Sequence, residues 1–143
     1  MFIIWQHSCN PTVTMKNSKS KAVILIVDDD EDILLLMGHK LTAEGYVPML
    51  SPNGVNVMDI ITHNHPDLVL LDIHMKGVDG GIICGEIKSN PETCSTPVIM
   101  FSANENIESI TRNCGADGFL HKPFNATEFK KTFRQVLGNR QYE

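Results

Sequence analysis

The hydrophobic positions of the chain form short apolar runs that alternate with amphipathic stretches. Three of these runs, at 22–27, 68–71 and 98–101, are continuous, and a polar residue directly follows each one. Continuous apolar runs are typical of strands covered on both faces, as in the middle of a parallel sheet. Two weaker runs, 46–50 and 118–120, suit the sheet edges, because Pro48 lacks the N–H that a central strand needs.

Helical periodicity predicts a helix after every strand. The first helix, over 31–44, is expected to bury one apolar stripe: Ile33, Leu36, Met37 and Leu41. Three further helices are predicted over 55–63, 81–89 and 106–113. The last helix begins at a capping-box-like pair, Asn125 and Glu128, and ends at Gly138.

Five strands alternating with five helices predict an α/β fold: a flavodoxin-like, doubly wound, five-stranded parallel sheet with strand order 2-1-3-4-5. We expect a flexible leader at 1–21, one domain at 22–138 and a short tail at 139–143. Right-handed crossovers bring the carboxyl ends of all the strands to the same edge, here named the carboxyl edge. Binding sites of such folds are built at that edge.

Composition narrows the partners of this domain. A length of 143 residues suits a single domain, and a formal net charge of −5 argues against nucleic acid as the main partner. No apolar run approaches the roughly 20 residues of a membrane span, so no membrane partner is expected. Four scattered cysteines without a CxxC pair are typical of reduced thiols, which predicts a cytoplasmic protein.

Polar residues that follow the predicted strands are expected to gather at the carboxyl edge. Asp28 and Asp29 follow the first strand, Asp72 the third, Ser102 the fourth and Lys122 the fifth. Crowded carboxylates repel one another, and Mg²⁺ relieves that repulsion while also binding phosphate oxygens. An ammonium group and a hydroxyl group opposite the acids would hold the oxygens of a phosphoryl group during its transfer. We therefore expect Asp72, on the central strand of the sheet, to be a carboxylate nucleophile.

Each of these residues also has a purely structural interpretation. The acids at 28–32 are typical of a helix start, where the helix dipole favours negative charge, and Asp30 is expected to cap the first helix. Asp72 could close a strand, Ser102 could cap a helix, and Lys122 could be a surface charge. Only their joint placement favours a functional site.

Four segments of the sequence resemble the receiver domain of two-component response regulators, which is CheY-like in size. They are ILIVDD at 24–29, LVLLDIHM with VDG within 68–80, PVIMFSA at 97–103 and GADGFLHKPF at 115–124. Any one of these segments would be a weak signal, but together they are specific. The resemblance covers about residues 22–138, which is most of the chain.

The resemblance implies a phosphoacceptor site. Asp72 would accept a phosphoryl group from the phosphohistidine of a histidine kinase or a histidine phosphotransfer protein. Mg²⁺ would be bound by Asp29, by Asp72 and by the main-chain carbonyl of His74, with Asp28 assisting through a water molecule.

The resemblance also implies a switch. Ser102 would move to hydrogen-bond the new phosphoryl group, and the Phe119 ring would follow it inward. Lys122 would contact the phosphoryl group ahead of a cis bond to Pro123. A downstream protein would then recognise the changed face formed by the fourth helix, the fifth strand and the fifth helix.

Several positions depart from the family pattern. Lys76 stands where the family usually has proline. His74 and Asn104 lie two residues beyond Asp72 and Ser102, at positions from which family members tune dephosphorylation. We therefore expect His74, Lys76 and Asn104 to set reaction rates. The stretch 102–122 is shorter than the usual family length, which predicts that either the fourth helix or the loop leading into it is trimmed.

Three functions remain open from the sequence. The first is a stand-alone receiver, which is expected because only five residues follow Gly138. Such a receiver would switch partner binding or relay its phosphoryl group, and it would not be an enzyme. The second is a small haloacid-dehalogenase-like phosphatase with Asp28 as nucleophile, although position 32 is Asp rather than the expected Thr or Val. The third is an interaction domain that has lost phosphorylation, which is disfavoured because all five chemical positions are filled.

Overall fold

The apolar runs form a five-stranded parallel sheet in the computed structural model, which describes residues 21–138. Its strands are β1 (Val23–Val27), β2 (Val47–Ser51), β3 (Leu68–Asp72), β6 (Val98–Ser102) and β7 (Gly118–His121). The two short strands between β3 and β6, β4 (His74–Met75) and β5 (Val78–Asp79), form a separate hairpin. The sheet has the order β2-β1-β3-β6-β7. The predicted flavodoxin-like order is therefore confirmed, with Pro48 on an edge strand.

Five helices connect or follow the strands of the sheet: α1 (Glu31–Ala43), α2 (Val57–Asn64), α3 (Gly80–Ser89), α4 (Ile107–Cys114) and α5 (Ala126–Leu137). Their ends differ from the predicted ends by no more than two residues, which is the scale on which helix ends fray. The capping box predicted at the start of α5 is present. Most of the predicted leader, residues 1–20, and the predicted tail, residues 139–143, lie outside the described residues.

Alternate residues of the strands supply two apolar layers, one on each face of the sheet. Ile24 and Ile26 of β1 pack in the layer that α1 and α5 cover, whereas Leu25 and Val27 pack in the layer that α2, α3 and α4 cover. Every residue of β3 and β6 is buried. This double coverage explains why the central strands are apolar without alternation.

The buried stripe of α1 differs from the predicted one. Leu36 is 58% exposed, while its neighbour Leu34 is buried. Residues 33–37 are all apolar, so the sequence pattern leaves the rotation of the helix open. Packing decides it, because Leu34, Met37 and Leu41 are the side chains of α1 that join the core between this helix and the sheet.

The cysteines only partly match the expectation of reduced thiols. Cys84 and Cys114 are free, but Cys94 is disulfide-bonded, so the expectation is wrong for that residue. A disulfide depends on spatial proximity, and the sequence has no CxxC spacing that would have indicated it. Among residues 21–138, none of the helices has the length and apolar character that crossing a bilayer requires.

Candidate functional site

Three carboxylates meet at the carboxyl edge of the sheet. Asp28, Asp29 and Asp72 each offer an oxygen, and these atoms all lie within 4.8 Å of one another. The arrangement follows from the register of β1 and β3, in which Val27 pairs with Leu71, so the next residues of both strands end side by side.

Lys122 places an ammonium group among these acids. Its Nζ lies 3.3 Å from Oδ2 of Asp28 and 3.7 Å from Oδ1 of Asp72. The Phe101 ring lies beneath it, with Nζ 4.3 Å from the ring centroid. Lys122 follows β7, where its main-chain N–H donates to the carbonyl of Ser102 at 2.8 Å, and its peptide bond to Pro123 is cis.

Asp28 is the most enclosed of the three acids. It is 1% exposed, and its carboxylate accepts the Asp30 N–H at 2.9 Å. Asp30 in turn caps α1 by accepting the N–H groups of Asp32 and Ile33, as the sequence predicts. Asp28 is therefore held by backbone on one side and by Lys122 on the other.

Asp29 has a main-chain partner that the sequence did not indicate. Its Oδ2 accepts the N–H of Lys76 at 2.8 Å. Lys76 and Gly77 form the two-residue loop of the β4–β5 hairpin, and Gly77 has a φ of 70°. A proline at position 76, the usual family residue, has no N–H and could not make this bond.

Burial and charge act in opposite directions on Asp72. Burial raises the pKa of Asp72 to about 6, and the Asp28 carboxylate adds to that increase. The Lys122 ammonium lowers the pKa, as do hydrogen bonds from the main-chain N–H groups of His74 and Ile73. Asp72 is therefore mostly ionised at neutral pH, which is the form that a nucleophilic carboxylate needs.

Gly80 belongs to the site although sequence reasoning gave it no role. A Cβ atom at this position would collide with the main-chain carbonyl of Asp72 and crowd Ile73. The glycine therefore lets the start of α3 pack directly behind the Asp72 main chain. Its place in the VDG segment is the only sequence signal that points to it.

Ser102, Asn104 and His74 form the side of the site nearest β6. Ser102 is buried, and its Oγ accepts the Asn104 N–H at 3.1 Å. The Asn104 side-chain nitrogen lies 2.8 Å from Nε2 of His74, so these two side chains form a bridge between the loops after β3 and β6. Phe119, the residue expected to move with Ser102, is 36% exposed in this conformation.

Comparison with known proteins identifies the class. The family model described as the response regulator receiver domain matches residues 24–134. The chain therefore belongs to the receiver domain family of two-component signalling, with the CheY-like fold described above.

Among curated relatives, the chain is 34% identical over 125 residues to a probable transcriptional regulator, ycf27, of Galdieria sulphuraria, covering 86% of this chain and 48% of that protein. It is 32% identical over 116 residues to the response regulator MprA of Mycobacterium sp. (strain KMS), covering 80% of this chain and 50% of that protein. The chain thus spans about half the length of these relatives.

Solved structures share the fold over their whole length. The chemotaxis protein CheY4 of Vibrio cholerae superposes with a TM-score of 0.75 at 25% identity, covering 82% of this chain and 100% of the CheY4 chain. The response regulator TrrA of Thermotoga maritima, solved in complex with Mg²⁺ and BeF, has a TM-score of 0.74 at 31% identity, covering 81% of this chain and 99% of the TrrA chain.

Proposed function

We propose that this receiver domain accepts a phosphoryl group on Asp72 from the phosphohistidine of a histidine kinase or a histidine phosphotransfer protein. The modified domain then switches the binding of a downstream protein or relays the phosphoryl group. The observation that carries this proposal is the meeting of Asp28, Asp29 and Asp72 within 4.8 Å. The Lys122 ammonium lies beside two of them.

The donor set fits Mg²⁺, a hard cation that prefers oxygen ligands and uses one or two carboxylates with water. Asp29, Asp72 and the main-chain carbonyl of His74 would hold the ion, with Asp28 assisting through water. Bound Mg²⁺ would neutralise negative charge on the phosphoryl oxygens. Within residues 21–138, Lys122 supplies the one ammonium group in contact with these acids, which leaves a net negative charge that a divalent cation balances.

The transfer step is a displacement at phosphorus. An Asp72 carboxylate oxygen forms a bond to phosphorus while the P–N bond of phosphohistidine breaks, and the electron pair of that bond returns to the imidazole nitrogen. The product is an acyl phosphate on Asp72. The Lys122 Nζ is 3.7 Å from Asp72 Oδ1, close enough to contact the added oxygens.

The acyl phosphate carries roughly 1.5 to 2 negative charges and three acceptor oxygens at a nearly buried position, where the ionised carboxylate of Asp72 carried one charge. Ser102 Oγ accepts the Asn104 N–H, which leaves its hydroxyl hydrogen available for a phosphoryl oxygen. Ser102 lies at the end of β6 next to β7, which carries Phe119. We infer that its movement draws Phe119 inward and changes the α4–β7–α5 face, formed by residues 107–114, 118–121 and 126–137, that a downstream protein recognises.

The proposal also includes the bounds of the domain, its location and its partners. Residues 22–138 form the receiver, preceded by the leader 1–21 and followed by the tail 139–143. We propose a cytoplasmic location on the free thiols of Cys84 and Cys114, with the disulfide-bonded Cys94 as the exception, and no direct nucleic-acid or membrane partner for this domain. Chemistry beyond self-phosphorylation from small donors and autodephosphorylation is not expected, so we do not class it as an enzyme.

Acetyl phosphate tests the proposal. Incubation of the full chain with acetyl phosphate and Mg²⁺ should add one phosphoryl group, detected by intact mass, that is labile to base and maps to Asp72. Chelation of Mg²⁺ with EDTA should prevent the addition. A label on Asp28, or turnover of phosphate monoesters, would instead support the phosphatase, and absence of any label would overturn the phosphoacceptor role.

The Lys76 N–H is expected to strengthen Mg²⁺ binding by holding Asp29 in place. Gly77, the second residue of this two-residue loop, has a positive φ, as a type II turn requires. A type II turn also favours proline at the first of its two central positions, so Lys76→Pro suits this loop. It removes the N–H bond to Asp29 together with the Lys76 side chain, and the loss of the bond should lower Mg²⁺ affinity, measured by calorimetry, about tenfold. Lys76→Ala keeps the N–H and is the matched control. Equal weakening by both variants would contradict this role.

The bridge between His74 and Asn104 is expected to slow dephosphorylation by restricting access of water to the acyl phosphate. His74→Ala and Asn104→Ala each break the 2.8 Å contact and leave the main-chain carbonyl of His74 in place. Each variant should shorten the lifetime of the phosphorylated protein by about three- to tenfold.

Lifetimes are measured as loss of the intact-mass adduct after removal of the donor. Because both variants break the same contact, the double variant should decay at the rate of the single ones. Longer lifetimes in either variant would show that the pair orients the attacking water instead.

A further inference from the structure

Two free thiols meet at the interface between α3 and α4, on the face of the sheet opposite α1 and α5. Cys84 of α3 is completely buried, at 0% exposure, and Cys114 is the partly exposed last residue of α4. The Sγ of Cys84 donates to the main-chain oxygen of Cys114 at 3.6 Å, which places the two thiol groups at the same point of the interface, and the Sγ of Cys114 donates to the main-chain oxygen of Thr111 at 3.6 Å. Neither residue takes part in the phosphoacceptor site.

The environment makes the two thiols chemically different. The neighbouring Cys84 thiol lowers the pKa of Cys114 to about 7, against the opposing effect of burial and of Asp79. The Cys114 thiol, together with burial, raises the pKa of Cys84. The nearby charges Lys88 and Asp117 act on Cys84 in opposite directions. Cys114 is therefore the more acidic and the more exposed of the two thiols, with Cys84 as its buried partner, which is the arrangement of a redox-active pair.

We propose that Cys84 and Cys114 are a redox modification site, in which a peroxide reversibly joins α3 to α4 through a disulfide. The Cys114 thiolate attacks hydrogen peroxide, the O–O bond breaks, and the products are a sulfenic acid and hydroxide, which takes up a proton to become water. The Cys84 sulfur then attacks the Cys114 sulfur, forming the S–S bond and breaking the S–O bond. The leaving hydroxide takes the Cys84 proton to form a second water molecule.

The consequence concerns α4, one of the elements of the α4–β7–α5 face. The disulfide ties the carboxyl end of α4 to α3, which packs behind the phosphoacceptor loop through Gly80. Oxidation should therefore restrict the movement of α4. This regulatory consequence rests on the proposed function, but disulfide formation does not involve Asp72 and is tested without a phosphoryl donor.

Peptide mapping tests the disulfide in the full chain. The three cysteines of the described domain fall in different tryptic peptides: Cys84 in 77–88, Cys94 in 89–112 and Cys114 in 113–130. After treatment with hydrogen peroxide and alkylation, a non-reduced digest should contain 77–88 linked to 113–130, and treatment with a dithiol should remove it. Cys84→Ser should leave Cys114 as a sulfenic acid that dimedone traps, with no linked peptide.

Two outcomes would overturn the proposal. One is a wild-type protein in which Cys114 is trapped by dimedone as readily as in Cys84→Ser. The other is a peroxide-treated protein in which Cys114 is linked to a peptide other than 77–88.

Hydrogen exchange of the α4 amides tests the restriction of movement. Exchange should be slower in the oxidised than in the reduced wild type, and independent of oxidant in Cys84→Ser. Equal exchange rates in oxidised and reduced protein would overturn the restraint on α4. Repeating the measurement in Asp72→Asn separates this result from the phosphoacceptor role, because that variant retains both cysteines.

Discussion

Asp72→Asn should abolish phosphoryl uptake from acetyl phosphate, lowering the rate by at least about a thousandfold. The amide that replaces the carboxylate is not a nucleophile toward phosphorus, and it removes one of the expected Mg²⁺ ligands. The measurement is intact mass after incubation with acetyl phosphate and Mg²⁺, with the wild-type adduct as reference.

Asp30→Asn is the matched control for that loss. It makes the same chemical change two residues beyond Asp28, at a position that only caps α1, and asparagine caps a helix as well as aspartate does. This variant should be labelled at the wild-type rate. An adduct that persists in Asp72→Asn would show that another residue accepts the phosphoryl group, and Asp28 would then be the first candidate.

The same substitution should stabilise the protein when Mg²⁺ is absent. Folding raises the pKa of Asp72 from 3.8 to about 6, so the folded chain binds this proton more tightly than the unfolded chain. The resulting stability is complete below the unfolded value of 3.8 and is lost as the pH rises through about 6. At pH 7 the ionised carboxylate therefore costs stability, and Asp72→Asn should recover roughly 1 to 3 kcal/mol.

Urea unfolding in EDTA at pH 7 and at pH 4 measures this effect. The advantage of Asp72→Asn should be largest at pH 7 and small at pH 4, where the wild-type carboxyl group is largely protonated in the folded state. Added Mg²⁺ should stabilise the wild type more than the variant and so narrow the difference at pH 7. If the variant is no more stable than wild type at pH 7 in EDTA, then the buried, ionised carboxylate of Asp72 does not destabilise the fold, and the prediction is wrong.

Together the two results would show that this carboxylate is kept for chemistry at the expense of stability. Asp72 is held near Asp28, with Lys122 as the ammonium in contact with both. Removing the carboxylate avoids the cost of burying its charge and relieves its repulsion from Asp28, but it destroys the proposed acceptor. Such a trade-off is common where a site concentrates like charges.

Most of the sheet could be predicted from the sequence because its determinants are local. Continuous apolar runs predicted β1, β3 and β6 as buried strands, and Pro48 correctly predicted an edge position for β2. The Asn125 cap with Glu128 predicted the start of α5. Once the strand order was inferred, the polar residue at each strand end had to lie at one edge, which brought Asp28 and Asp72 together without any knowledge of side-chain contacts.

Tertiary packing decided the features that depend on residues distant in the chain. The rotation of α1 was open because all of residues 33–37 are apolar, and packing against the core buried Leu34 and left Leu36 exposed. The Lys76 N–H reaches Asp29 across 47 positions, and Asn104 reaches His74 across 30. No local pattern encodes such contacts, because they arise only when loops from separate strands are packed side by side. The sequence by itself thus determined that Asp28, Asp29, Asp72 and Lys122 meet at the carboxyl edge, whereas the tertiary structure decided how each of them is held and placed Gly80 behind them.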